Sequence, residues 1–85
     1  MVTPELRFDC PDEAKFDIVA RVKEHFRSRR EIIEVDGVRV LFEKGWGLVR
    51  ASNTQPILVL RFEAETPELL QQYRDEVEAV VRASV

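Results

Sequence analysis

Polar and apolar residues alternate at Leu6-Arg7-Phe8, and this period of two predicts a short first strand. Past Pro11 the period changes. Phe16, Val19, Val22 and Phe26 recur at spacings of three, three and four, which predicts one apolar stripe on a helix from Pro11 to about Arg27. Proline at the first helical position gives up no needed N–H, and Asp12 and Glu13 suit the positive end of the helix dipole.

Ile32-Ile33-Glu34-Val35 and Val38-Arg39-Val40-Leu41-Phe42 flank Asp36-Gly37. Asp-Gly tolerates positive φ at both central positions, so the pattern predicts a hairpin closed by a two-residue turn. Lys44-Gly45 predicts the next turn, and Trp46 to Ala51 the next strand. Ser52 to Pro56 is a polar loop. Ile57 to Ala64 is a further strand, apolar on nearly both faces at its start, as a central strand requires. Pro56 lacks an N–H and can open that strand without disturbing the ladder. Thr66 caps the last helix, Pro67 takes its first position, and Leu69, Leu70, Tyr73, Val77, Val80 and Val81 form its buried stripe.

The order is therefore β-α-β-β-β-β-α. Consecutive strands on short turns make an antiparallel sheet, and two helices with one apolar stripe each must cover it, most simply on the same face. The expected fold is α+β, in two layers. At 85 residues the chain is expected to be a single domain, 1–85, too short for a doubly wound nucleotide-binding fold. Its ordered pattern starts almost at once and ends inside a helix, as in a domain excised from a longer chain or in a small whole protein.

Composition narrows the function. A net charge of −3 argues against broad nucleic-acid binding. The longest strictly apolar run, Ile57 to Leu60, rules out a membrane-spanning helix, so no membrane partner is expected. One cysteine, Cys10, forbids an internal disulfide and fits a reducing compartment, hence the cytoplasm. With one Cys and one His, His25, no closed structural zinc site can form.

Most candidate chemistry has a plain structural reading. Arg21, Lys23, Arg27, Arg29 and Arg30 lie toward a helix C-terminus, where cations are favoured, and lack interleaved aromatics for base stacking. His25 reads as a helix-surface residue. Cys10 reads as a small packed side chain, although a helix N-terminus can lower a thiol pKa. Trp46, between Gly45 and Gly47, reads as a core anchor. Glu68, Asp75, Glu76 and Glu78 are spread around the last helix, without the pairing that acid–base catalysis needs.

The segment Arg50-Ala51-Ser52-Asn53-Thr54-Gln55-Pro56 differs. A strand delivers an arginine to a tight loop with two hydroxyls, an amide and backbone N–H groups. Successive N–H donors in a turn make a concave anion site, and guanidinium adds a planar fork that matches two phosphate oxygens. The same residues are also ordinary turn formers, so from chemistry alone both readings stand.

Asp36-Gly37-Val38-Arg39-Val40, then Gly45-Trp46-Gly47-Leu48-Val49-Arg50-Ala51-Ser52-Asn53-Thr54-Gln55-Pro56, then Leu58-Val59-Leu60-Arg61-Phe62-Glu63-Ala64 closely resemble the C-terminal domain of bacterial phosphomannomutase/phosphoglucomutase enzymes, of the α-D-phosphohexomutase superfamily. Thr3-Pro4-Glu5-Leu6-Arg7 weakly resembles the segment leading into it, so the resemblance covers nearly the whole chain. It implies a TATA-binding-protein-like fold, in agreement with the order above. It also implies that Arg50, Ser52, Asn53 and Thr54 grip the phosphate of a bound hexose phosphate, of mannose or glucose. Ser-Gly-Thr in place of Ser52-Asn53-Thr54 is more usual in the phosphoglucosamine enzymes and the eukaryotic glucose enzymes.

The family's Thr-Ala-Ser-His-like phosphoserine segment, Asp-x-Asp-x-Asp-like magnesium loop and sugar-reading loop are not found here. The resemblance thus implies the fourth domain alone, with three partner domains in the parent enzyme. It implies no catalytic residue and no cofactor in this domain, and magnesium in the full-length enzyme. Two alternatives are a stand-alone binding module that lost the enzyme, and a DNA binder, since TATA-binding-protein-like sheets can bind DNA.

Overall fold

The computed structural model describes residues 1–85. Strand β1 (Leu6–Asp9) leads through a 3-10 turn (Asp12–Ala14) into helix α1 (Lys15–Arg27). Strands β2 (Ile32–Ile33), β3 (Val38–Phe42), β4 (Gly45–Ala51) and β5 (Ile57–Ala64) follow, then helix α2 (Pro67–Ala83). All pairings are antiparallel, in the order β1-β5-β4-β3-β2. The expected element order holds, and β5 takes the internal position its two apolar faces require.

Strand parity divides the sheet. Val38, Val40 and Phe42 of β3, Val49 of β4 and Leu58, Leu60, Phe62 and Ala64 of β5 share one buried cluster with Ile18, Val19, Val22 and Phe26 of α1 and Tyr73, Val77 and Val81 of α2. Both helices therefore cover one face. Leu69, Leu70 and Val80 pack at its margin. The Thr66 hydroxyl accepts the Leu69 N–H at 3.2 Å, which caps α2 as expected. No helix is long and apolar enough to cross a membrane.

Four local expectations are corrected. Phe16 is 61% exposed, and Ile18, fully buried, takes its place. At about 100° per residue, steps of three drift off a face, so Phe16 lies about 120° around the helix from Val22 while Ile18 lies about 40° from it. Trp46 is half-buried on the open face of the sheet rather than in the core. Its neighbour Gly47 points inward, where a Cβ would come within 2.8 Å of the Phe62 ring, so glycine makes room for that ring. The Arg39 guanidinium lies 4.6 Å from the Trp46 ring centroid.

The turn at Asp36-Gly37 has the expected positive φ at both residues, 54° and 118°. It is nevertheless longer than two residues. The register Ile32↔Val40 and Ile33↔Arg39 leaves Glu34 to Gly37 outside the ladder. Glu34 turns toward α1 instead, where Arg27 reaches it at 3.2 Å. The next turn is Glu43-Lys44 and not Lys44-Gly45, since Gly45 already pairs with Phe42.

Candidate functional site

The loop Ser52 to Pro56 crosses from β4 to β5 at the end of the sheet and is tied from within. The Ser52 hydroxyl accepts the N–H groups of Thr54 at 3.3 Å and Gln55 at 3.2 Å, a side-chain turn that sets the loop's curvature. The Ser52 N–H donates to the Ile57 carbonyl at 3.1 Å, and the Ile57 N–H to the Gln55 carbonyl at 2.9 Å. From below, the Cys10 N–H donates to the Pro56 carbonyl at 3.1 Å.

Lys15 completes this support, and sequence reasoning missed it. It is 4% exposed, yet its ammonium donates to the Gln55 carbonyl at 3.2 Å and pairs with Asp12 at 2.8 Å. A lysine is buried at low cost only when its charge has such partners. The available signal was positional: by the same helical arithmetic, Lys15 lies within about 20° of Val22, on the apolar stripe.

Against that support the loop turns donors outward. The Ser52 hydroxyl accepts two bonds, which leaves its own O–H free to donate. The Asn53 N–H has no backbone partner, and the side chains of Asn53 and Thr54 make no hydrogen bond within the chain. Both residues are exposed.

Arg50 stands apart from this donor set. It projects from the open face of β4, and its guanidinium pairs with Glu5 at 3.3 Å. Both partners are largely exposed, so the pair is weak and readily exchanged. Gly37 flanks its stem. A Cβ there would fall 2.4 Å from the Val49 carbonyl oxygen and 2.8 Å from the Arg50 Cβ. The structure thus brings Ser52, Asn53 and Thr54 together in one turn and sets Arg50 at its base, engaged with a neighbouring carboxylate.

The other candidates are held structurally. Arg30 makes a forked pair with Glu76 at 2.8 and 3.0 Å, lies 4.5 Å from the Phe42 ring centroid, and is held above the ordinary arginine range chiefly by that hydrogen bond. Arg21 donates to the Ser84 carbonyl at 2.7 Å, and Arg29 to the His25 carbonyl at 2.8 Å. The Cys10 thiol is raised above its ordinary 9.0 by burial, which outweighs the lowering influence of Lys15. It behaves as a packed side chain and not as an activated thiol. Glu78 pairs with Arg74 at 2.8 Å and Arg82 at 3.4 Å.

Two layers, two helices on one face and a clamped, donor-rich loop at the sheet's end define a small α+β domain with a polar end. Residues 5–84 match the family model described as phosphoglucomutase/phosphomannomutase, C-terminal domain. The chain belongs to that family, as a C-terminal domain. It is 49% identical over 74 residues to a phosphomannomutase/phosphoglucomutase of Pseudomonas putida, covering 86% of this chain and 16% of the relative. It is 44% identical over 86 residues to a phosphoglucomutase of Neisseria meningitidis, covering 96% and 18%. A solved phosphoglucomutase/phosphomannomutase family protein of Burkholderia thailandensis superposes with a TM-score of 0.80 at 30% identity, over 99% of this chain and 18% of that one. The chain thus spans less than a fifth of the length of these relatives.

Proposed function

We propose that this chain is the substrate-phosphate-binding domain of a phosphomannomutase/phosphoglucomutase and closes the active-site cleft while a hexose 1-phosphate and 6-phosphate are interconverted. The loop carries the reading: the groups it leaves free at Ser52, Asn53 and Thr54 include donors at each residue, with a guanidinium at its base. Phosphate dianion is an acceptor on every oxygen. Charge-assisted donors held in place by an internally bonded turn suit it, because little ordering remains to be done on binding.

In this reading the phosphoryl group moves between the sugar and a phosphoserine on another domain, through a bisphosphorylated intermediate. The loop holds the phosphate that is not reacting, and it reads phosphate and not the sugar, so either phosphate can occupy it after the intermediate reorients. Arg50 exchanges its exposed pair with Glu5 for the incoming dianion. The reading assigns magnesium to the rest of the enzyme and expects no turnover from this chain alone. The reading also places the enzyme in the cytoplasm.

Replacing Arg50 by Lys in the full-length enzyme tests this. The variant keeps the charge and loses the fork. One charged hydrogen bond of about 1.5–3 kcal/mol corresponds to about ten- to hundredfold in kcat/KM. KM is expected to rise and kcat to fall, since grip and closure are one event in this account. Unchanged constants in a folded variant remove Arg50 from the site.

A further inference from the structure

The face of the sheet opposite the helices is not the polar surface that an antiparallel sheet commonly turns to water. Leu41 of β3, Trp46 and Leu48 of β4, Ile57 and Val59 of β5 and Ile33 of β2 all lie on it. The register sets arginines between them. Leu48 has Arg39 on one side and Arg61 on the other, and Val59 has Arg50 on one side and Arg7 on the other. Arginine stems cover apolar surface beside them, and Val59 is only 9% exposed although no helix lies over it. Toward β2 the face opens into a groove of about 480 Å³ lined by Ile33, Val35, Leu48, Arg39, Arg50 and Asp36.

The arginines of the helix layer are all partnered within the chain. Arg21 and Arg29 donate to carbonyls, and Arg27, Arg30, Arg74 and Arg82 pair with carboxylates. On the open face Arg50 alone has a carboxylate, Glu5 at 3.3 Å. Arg39 lies over the Trp46 ring, and Arg7, Arg39 and Arg61 make no ion pair. Asp9 and Glu63, the other acids of this face, stand one row beyond the arginines, opposite Ile57 and Trp46. A chain of net charge −3 thus gathers unpartnered cations around an apolar centre on one face.

We propose that this face docks against the domains that precede it in the parent enzyme, on a surface of aliphatic side chains and carboxylates. An aliphatic side chain fills the groove at Ile33, Val35 and Leu48, and carboxylates pair with Arg7, Arg39 and Arg61, since guanidinium forks match carboxylates and suit interfaces. The inference rests on the chain being the C-terminal domain of a longer enzyme, and it does not depend on the loop's grip on phosphate. More than four-fifths of each relative's length lies outside the part that this chain matches. Val2 pairs with Glu63, which puts a residue adjoining those domains at the edge of this same face. Five strands about 4.8 Å apart, the central ones about 20 Å long, give a face on the order of 400 Å², enough for one side of an interdomain contact of about 600–1,500 Å² in total.

Guanidinium modification by phenylglyoxal, read residue by residue by mass spectrometry, tests this on the 85-residue chain, first shown folded by its amide spectrum, and on the full-length enzyme, both without substrate. Arg7, Arg39 and Arg61 are expected to react several-fold more slowly in the full-length enzyme. Arg82, on the helix layer with its side chain 64% exposed, is expected to react alike in both. In the full-length enzyme Arg61→Glu is expected to bring Arg7 and Arg39 back toward their reactivity in the isolated chain. Equal reactivity of the three arginines in the two wild-type proteins, or equal protection of Arg82, would overturn the docking. The loop reading would stand, because the Arg50→Lys kinetics decide it separately. Protection in the isolated chain that is lost on dilution would make the occupant a second copy, and protection of that chain by duplex DNA, with none in the full-length enzyme, would make it nucleic acid. Either result overturns the proposal.

Discussion

The Lys15 ammonium donates to the carbonyl of Gln55 across 3.2 Å, joining the first turn of α1 to the loop between β4 and β5. Forty positions separate the two residues, so a local sequence pattern contains no trace of the contact. Its effect is to fix a carbonyl of a loop whose Thr54 and Gln55 N–H groups are already held by the Ser52 hydroxyl.

Replacing Lys15 by Met keeps the stem and removes the charge. The loop should open locally at lower cost, by about 1.5–3 kcal/mol, the scale of one charged hydrogen bond. Native-state amide exchange at Thr54 and Gln55 reads this directly. Exchange at those amides as slow as in wild type would show that Lys15 does not hold the loop.

Gly37 answers to two constraints at once. Its φ of +118° disfavours any side chain, and an added Cβ would sit 2.4 Å from the Val49 carbonyl oxygen. Gly37→Ala is expected to cost about 2–4 kcal/mol in urea unfolding, combining backbone strain with a displaced β4. Asp36 has φ of 54°, which Asp tolerates, and nothing comparable is expected from Asp36→Gly, within about 0.5 kcal/mol. Equal losses at the two positions would contradict this division.

The fold was largely legible because most of its determinants are local. Thr66-Pro67 starts α2, Asp36-Gly37 supplies positive φ, and the alternation in β3 chooses its own face. The misses have a common origin in that an apolar residue does not say which face it occupies. Phe16 fits a spacing of three but not the face set by Ile18 and Val22. Trp46 sits where a core residue was expected, but the parity of β4 is set by Val49 and by the room Phe62 takes over Gly47. Of the candidate site, the residue types in the loop were visible. The Lys15 support and the Glu5 pairing of Arg50 were not, because both depend on segments brought together by folding.

Cys10 gives a pH dependence whose sign follows from its surroundings. Burial raises the folded thiol above 9.0, its value when unfolded, so the folded chain holds that proton more tightly. The contribution of this group to stability is full below 9.0 and declines as pH rises through the folded pKa. Alkylation by iodoacetamide at neutral pH should be slower than for a free thiol. Faster alkylation than a model thiol, or stability rising above that pH, would contradict the burial assignment.

The central claim is that the loop from Arg50 to Gln55 grips phosphate. Its most direct test is a titration of the 85-residue chain with inorganic phosphate, following every backbone amide. The expected result is weak binding, on the order of millimolar, with the largest shifts at Asn53 and Thr54. Shifts concentrated at Arg27 to Arg30, with the loop unmoved, would contradict the account.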